Sequence, residues 1–169
     1  MRAGGRVVAV LLAALLPACG EAEPGVQIGA EARPAPRVVV QDRYVVRQSG
    51  LGFEDTLSAL YEALDRRDLT VFAVIDHAAA AAAEGLELPP TTVVVFGDPA
   101  LVTPLMAEVG VLGAELPLRA LVYERRGEVF LATTGMANLA RTYPLSNQTQ
   151  RIEAAQRALS EIADEVTGR

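Results

Sequence analysis

Apolar residues recur along the chain at two kinds of spacing, one typical of helices and one of strands. Residues 53–67 carry apolar side chains at intervals of three and four, which predicts an amphipathic helix. The same spacing predicts a C-terminal helix that Ser146 caps and that extends to about Thr167. Its apolar face would consist of Ile152, Ala155, Leu159, Ile162 and Val166. Segments 37–48, 69–76 and 91–98 are rich in β-branched residues, which predicts strands.

Three segments predict particular features of the sheet. Residues 69–76 (LTVFAVID) are apolar on both faces, so this strand should be central or covered. Residues 37–48 predict one strand, bent near Asp42. Residues 118–134 predict a hairpin that turns at residues 126–127, because apolar and polar residues alternate on both sides of that point.

Short helices are expected between the strands. Asp76 can cap a helix from His77 to Glu84, and Gly85 suits its left-handed end. Another short helix is expected over residues 136–142.

Two prolines offer alternative starts for the helix after the strand 91–98. A helix from Pro99 would carry Pro104 in its interior, which costs about 3 kcal/mol. With Thr103 as the cap, Pro104 takes the first helical position, where proline is favoured. We therefore expect a loop over 97–103 and a helix over about 104–110.

The N-terminus has the pattern of a bacterial lipoprotein signal. Two arginines precede an apolar run of about 10 residues, too short for a bilayer span of roughly 20 residues. The run ends in LPAC, which resembles the lipobox, where a lipid is attached to the cysteine and the chain is cut before it. We expect a signal peptide over 1–18, lipidated Cys19 with a flexible tether over 19–36, and a single domain over 37–169.

This signal predicts a protein of the cell envelope, attached to the membrane through lipid on Cys19. Gly20 stands where an aspartate, in enteric lipoproteins, resembles an inner-membrane retention signal. The periplasmic side of the outer membrane, or another extracytoplasmic face, is therefore favoured. Because Cys19 is the only cysteine, disulfides and cysteine nucleophiles are not expected.

Composition and element order bear on partners and fold class. The formal net charge is −6 and all 15 basic residues are arginine, with no basic stripe, which argues against nucleic acid as a partner. The element order predicts an α+β fold with a mostly antiparallel sheet and helices on one side. Such a sheet often leaves an apolar face or edge to cover, so we expect a homodimer of residues 37–169.

Four stretches carry a family resemblance: TVFAVIDHAAAAAAEG, PPTTVVVFGDP, TPLM and LPLRALVYE. Over about residues 44–145 the chain resembles the domain of unknown function 302 family. The resemblance implies a curved antiparallel sheet with helices on one side, similar to half of a TATA-binding protein, without implying DNA binding. It supplies no activity, so it assigns no catalytic residue.

Candidate binding residues follow two of the predicted strands. If the strands 69–76 and 91–98 run parallel, or are joined by a crossover, their ends meet at one sheet edge, and a ligand site should form there. That site would consist of Asp76, His77, Gly97, Asp98, Thr103 and Met106. If the strands are antiparallel neighbours, these groups lie at opposite ends, and His77 is only the first residue of a small helix.

The expected function is a lipid-anchored binding or interaction module of the cell envelope, for a ligand such as a small apolar molecule. An enzyme is less favoured, because no Ser-His-Asp set and no pair of catalytic carboxylates is evident. The alternative is a haem- or metal-linked redox protein that uses His77, with Met106 as a second haem ligand. No Cys-x-x-Cys-His motif or second histidine supports a cofactor, so none is expected under the first hypothesis.

Lipidation of Cys19 has a direct test. Cells that express the full chain with a labelled fatty acid should incorporate label into the wild type and not into Cys19→Ser, because that thiol would carry the lipid. Equal labelling of the two proteins would contradict the lipoprotein assignment.

Overall fold

The structure of the chain, a computed structural model, describes residues 38–41 and 43–168. The expected signal peptide, Cys19 and the tether lie outside this part. The described elements follow one another in this order: β1 Val38–Gln41, β2 Tyr44–Gln48, α1 Phe53–Asp65, β3 Thr70–Asp76, α2 His77–Ala83, β4 Thr91–Gly97, α3 Pro99–Glu108, a 3-10 turn Gly110–Ala114, β5 Leu118–Arg125, β6 Glu128–Thr134, α4 Met136–Thr142, a 3-10 turn Ser146–Gln148, and α5 Thr149–Val166.

The described strands form a single antiparallel sheet in the order β1-β2-β6-β5-β4-β3. Side chains of its inner face belong to the same buried cluster as side chains of the helices, for example Val94 and Val122 with Leu60 of α1 and Ile162 of α5. Arg47 of β2 also points to this face and makes an ion pair with Asp164 of α5 (Nε to Oδ1, 3.0 Å). The predicted α+β fold with helices on one side of an antiparallel sheet is confirmed.

Helix spacing in the sequence predicted the core correctly. In α1, Leu60 and Leu64 are fully buried, and Phe53 packs against the core at its start. In α5 the buried residues include all five that were predicted to form its apolar face: Ile152, Ala155, Leu159, Ile162 and Val166. This helix begins at Thr149 rather than directly after Ser146, because residues 146–148 form a 3-10 turn.

The local turn and cap signals are also confirmed. Asp76 caps α2 by accepting a hydrogen bond from the Ala79 backbone N–H at 2.9 Å, and Gly85 after the helix has φ +71°. In the β5–β6 hairpin, Arg126 and Gly127 both have positive φ, as a tight turn between twisted strands requires.

The first predicted strand is in fact two. Residues 38–41 and 44–48 form β1 and β2, which pair antiparallel with Gln41 opposite Tyr44. The bend expected near Asp42, which itself lies outside the described residues, is therefore a reversal of the chain. The valines on both sides of this reversal gave one continuous β pattern, and no glycine or Asn-Gly pair marks the turn.

The position of β3 was predicted wrongly. Its apolar residues on both faces suggested a central or covered strand, whereas β3 is an edge strand of the sheet, and all seven of its residues are exposed. The helix layer covers the inner face of β4, where Val94 and Phe96 are fully buried, but does not cover β3.

The start of α3 was also predicted wrongly. The helix begins at Pro99 and carries Pro104 inside it. Asp98 caps it by accepting a hydrogen bond from the Ala100 backbone N–H at 2.8 Å. An earlier start places Val102 and Leu105 on the buried face of one helix, and this burial offsets the cost of the internal proline.

The described elements and their core all lie within residues 35–169, which form one compact unit. A fragment of these residues therefore contains the packing on which the fold depends. Among the described residues, no helix combines the length and the apolar composition needed to cross a membrane.

Substitution of Pro104 distinguishes the two possible starts of α3. Pro104→Ala in the fragment 35–169 should raise the free energy of unfolding by about 1–2 kcal/mol, because alanine supplies the missing helical hydrogen bond and removes the steric clash. Urea denaturation followed by circular dichroism measures the change.

The two candidate caps serve as a matched pair for this test. Asp98→Ala should cost about 1 kcal/mol, and Thr103→Ala should change stability by less than about 0.5 kcal/mol. If Thr103→Ala lost more stability than Asp98→Ala, and Pro104→Ala were destabilising, the helix would begin at Pro104.

Candidate functional site

The residues predicted to form one ligand site lie in two separate places. β3 and β4 are antiparallel neighbours, with Asp76 opposite Thr92 and Thr70 opposite Gly97. Gly97 is thus five residues along β4 from the position opposite Asp76, about 17 Å at the usual rise of a strand. The expected convergence of these residues at one site is wrong, because it required parallel strands or a crossover.

Each half of that set has a structural role of its own. Asp76 caps α2, and His77 is its exposed first residue. Asp98 caps α3, while Thr103 lies exposed within that helix, and Met106 is partly buried against the core. A role in ligand binding for any one of these residues stays a prediction.

The haem or metal hypothesis gains no support from this geometry. His77 and Met106, the proposed axial pair, are attached to opposite ends of the β3–β4 pair. In the described part of the chain, no group of three or more histidine, cysteine, aspartate and glutamate side chains is arranged to hold a metal ion.

A different candidate site lies on the sheet face that the helices do not cover, which we call the open face. Directly paired residues of antiparallel strands share a face, so the pairing identifies its members. Phe130 and Ala132 of β6 are buried there, although neither belongs to the core cluster beneath the helices. The open face is thus partly apolar.

Three rows of side chains cross the open face. The middle row is entirely apolar and runs from β2 to β3 through Val46, Ala132, Leu121, Val93 and Ile75. The row on one side consists of Tyr44, Thr134, Arg119, Val95 and Ala73. The row on the other side consists of Gln48, Phe130, Tyr123 and Thr91. An apolar floor therefore lies between two rows that carry the hydroxyl, amide and guanidinium groups.

A groove of about 270 Å³ follows this floor. Its lining comes from four strands and consists of Tyr44, Val46, Val93, Arg119, Leu121, Tyr123 and Ala132. Ala132 contributes the smallest side chain of this lining. Because all seven residues are held by sheet pairing, the groove is largely preformed, as small-molecule sites usually are.

Two groups determine the electrostatics of the groove. Tyr123 stacks on Phe130 with ring centroids 5.3 Å apart. Burial raises the pKa of Tyr123 above its ordinary value of 10.0, while Arg125 acts in the opposite direction. Tyr123 is therefore a neutral phenol at physiological pH. Arg119 is exposed and makes no ion pair with any described residue, so its guanidinium is available to an anion.

Two other large hollows are less suited to specific recognition. One of about 620 Å³ is lined by the consecutive residues 147–151 and is widely open. Another, of about 450 Å³, lies between α4 and α5. The groove on the open face differs from both because it gathers residues from four strands around one cation.

Sequence reasoning missed this groove, although a signal was present. The alternation noted in residues 118–134 puts residues 118, 120 and 122 on one face, which leaves Arg119, Leu121 and Tyr123 on the other. An apolar residue and a tyrosine on a face that should meet solvent point to a surface with a role. Which residues of β2 and β4 join them depends on strand order, which the sequence alone did not determine.

Similar curated proteins are fluoride-specific ion channels of Brucella. The chain is 32% identical over 108 residues to Fluoride-specific ion channel FluC 1 of Brucella suis, a match that covers 63% of this chain and 42% of that protein. FluC 1 of Brucella abortus and FluC 2 of Brucella melitensis match at the same identity over 40% of their lengths. The chain thus spans about two fifths of the length of these relatives.

A solved structure shares the fold. The crystal structure of an uncharacterized conserved protein DUF302 from Bacillus stearothermophilus superposes with a TM-score of 0.66 at 16% sequence identity. The match covers 73% of this chain and 97% of that one. At this identity the likeness concerns the fold alone.

A family match covers as large a share of the chain as the solved structure does. It extends over residues 44–166, from the first residue of β2 to the last residue of α5, and therefore includes the groove and the helix layer together. The chain belongs to the family described as domain of unknown function DUF302.

Proposed function

We propose that this domain is a lipid-anchored binding module of the cell envelope, and that the open-face groove holds a small amphipathic anion, with an apolar body and one acidic group. The observation that carries the proposal is the position of Arg119, a cation without a described ion-pair partner beside an apolar floor.

The apolar floor supports an apolar ligand body. Leu121, Val93 and Val46 are only partly buried, so each presents hydrocarbon to the groove. Removing this surface from water would contribute about 25 cal/mol for each Å² covered. A groove of about 270 Å³ fits a small molecule rather than a long lipid chain.

The local charge supports an acidic group on that ligand. The chain as a whole is acidic, with a formal net charge of −6, so it repels anions at long range. Arg119 would therefore act at short range, through a charge-assisted hydrogen bond to a carboxylate or phosphate. The phenol groups of Tyr44 and Tyr123 stand at the two sides of the floor and can add neutral hydrogen bonds.

The lining of the groove favours binding over catalysis. It consists of aliphatic side chains, two tyrosines and one arginine, with no serine, histidine or carboxylate. Burial keeps Tyr123 neutral, so it is a poor general base near neutral pH. A site that holds its ligand without transforming it agrees with these side chains.

A location at the membrane is supported in two ways. The expected lipid on Cys19 and the tether would hold the domain within about 20–25 Å of the bilayer. The fluoride-specific channels of Brucella contain a segment similar to this domain within a longer chain, and their names place them in membranes. Fluoride conduction is not part of the proposal, because more than half of each channel lies outside the match.

Binding of 8-anilinonaphthalene-1-sulfonate, a fluorescent apolar anion, tests the site. Arg119→Gln in the fragment 35–169 should weaken binding about 5–20-fold, because it removes one charge-assisted hydrogen bond. Arg126→Gln is the control: Arg126 is exposed, lies in the turn between β5 and β6, and does not line the groove. This control should bind like the wild type.

Filling the groove gives an independent readout. Ala132→Leu enlarges the smallest side chain of the groove lining and should abolish binding, while circular dichroism should show an intact fold. Equal affinity of Arg119→Gln and Arg126→Gln, together with unchanged binding by Ala132→Leu, would place the probe elsewhere and overturn the proposal.

A further inference from the structure

The segment of residues 70–90 has an unusual surface for its composition. It comprises β3, α2 and the approach to β4, and none of its residues is buried. Val71, Phe72, Val74 and Ile75 of β3 are each between 40% and 50% exposed. Leu86 and Leu88, which follow α2, are 62% and 42% exposed. Contiguous apolar surface of this kind on a monomer marks an interaction site.

The outer edge of β3 carries unpaired backbone groups as well. Among the described strands β3 pairs only with β4, so its other side offers a row of N–H and C=O groups to a further strand. Natural edge strands are commonly protected by lysine, proline or inward-pointing charge. β3 has no lysine or proline, and its single charged residue, Asp76, is at its end. Within the strand itself, the one protective feature is the irregularity between Val71 and Ala73.

We propose that this edge binds a second copy of the chain, through antiparallel pairing of β3 with β3 of the other copy about a two-fold axis. The two six-stranded sheets would then join into one continuous sheet of twelve strands. The inference does not depend on the groove, because the edge and the open-face groove are different surfaces.

The occupant is a strand because the unpaired groups are those of a strand edge, which a helix cannot satisfy. A second copy fits because an antiparallel pair of identical strands is self-complementary. No residue from 71 to 75 is charged, and Asp68 and Asp76 flank this stretch on its two sides. When the strands are centred near Ala73 and Val74, each of these carboxylates lies opposite an uncharged residue of the other copy.

The sequence pattern of β3 supports the same arrangement. Its apolar residues on both faces are typical of an interior strand, and pairing at the edge would make β3 interior. The Ala-rich helix α2 follows β3 directly and buries none of its residues in the monomer. A hollow of about 530 Å³ lies beside it, lined by Ala78, Ala82, Leu86, Glu87, Leu88 and Pro89. Apolar surface thus continues from the strand edge onto α2 and the segment that follows it.

Sedimentation equilibrium of the fragment 35–169 tests the dimer. The wild type should be dimeric at high micromolar concentration. Val74→Lys should weaken dimerisation at least about tenfold, because it places two like charges near the two-fold axis. Val111→Lys is the matched control: Val111 is also exposed but lies in the 3-10 turn Gly110–Ala114, outside the segment 70–90.

Cysteine cross-linking tests the position of the axis. The fragment has no cysteine, since Cys19 precedes it. Four variants would each carry one cysteine, at position 72, 73, 74 or 75. At least one of them should form an intermolecular disulfide on mild oxidation, because paired Cα atoms near the axis are about 4.5–5.5 Å apart. Val111→Cys should not cross-link.

Three results would overturn the inference. The first is a wild type that is monomeric at every concentration. The second is a dimer that Val74→Lys and Val111→Lys affect equally. The third is open-ended assembly without cross-links at positions 72–75, which would indicate pairing of β3 with another edge such as β1.

Discussion

The burial of one face of the antiparallel sheet beneath α1 and α5 is the packing interaction on which the rest of the structure depends. Leu60 and Leu64 from α1 and Ile162 and Val166 from α5 are fully or almost fully buried against that face. At the C-terminal ends of the two helices, Glu165 of α5 accepts hydrogen bonds from Arg66 and Arg67, and these bonds lower the pKa of Glu165. These bonds join the C-terminal ends of α1 and α5, while the buried side chains hold the two helices to one side of the sheet.

This packing leaves two surfaces uncovered, the open face of the sheet and the edge strand β3, and each has a geometric cause. Side chains alternate across a strand, so covering one face leaves every second residue of β4, β5 and β6 on the other. There the floor around Leu121 lies beside Arg119, and a groove results. The helix layer also ends before β3, so an apolar strand is exposed at the edge. Ligand binding and self-association are thus proposed for surfaces that the core does not use.

The sequence predicted those features that depend on nearby residues. Helical spacing identified the buried face of α5, and the Asp76 cap and the Arg126–Gly127 turn needed only a few neighbouring residues. Features that depend on distant pairing were missed. The reversal between β1 and β2, the edge position of β3, and the separation of His77 from Met106 all follow from strand order and direction. The interior proline of α3 was missed because burial of Val102 and Leu105 outweighs a local preference.

An NMR titration of the fragment 35–169 with 8-anilinonaphthalene-1-sulfonate tests the central claim most directly, since amide shifts report the bound position residue by residue. A ligand in the open-face groove should shift amides on β2, β5 and β6 together, at residues such as Val46, Leu121 and Ala132, and leave α1 and α2 unchanged. Shifts confined to α2 and β3, or spread over the helix layer, would contradict the account of the open face as the binding surface.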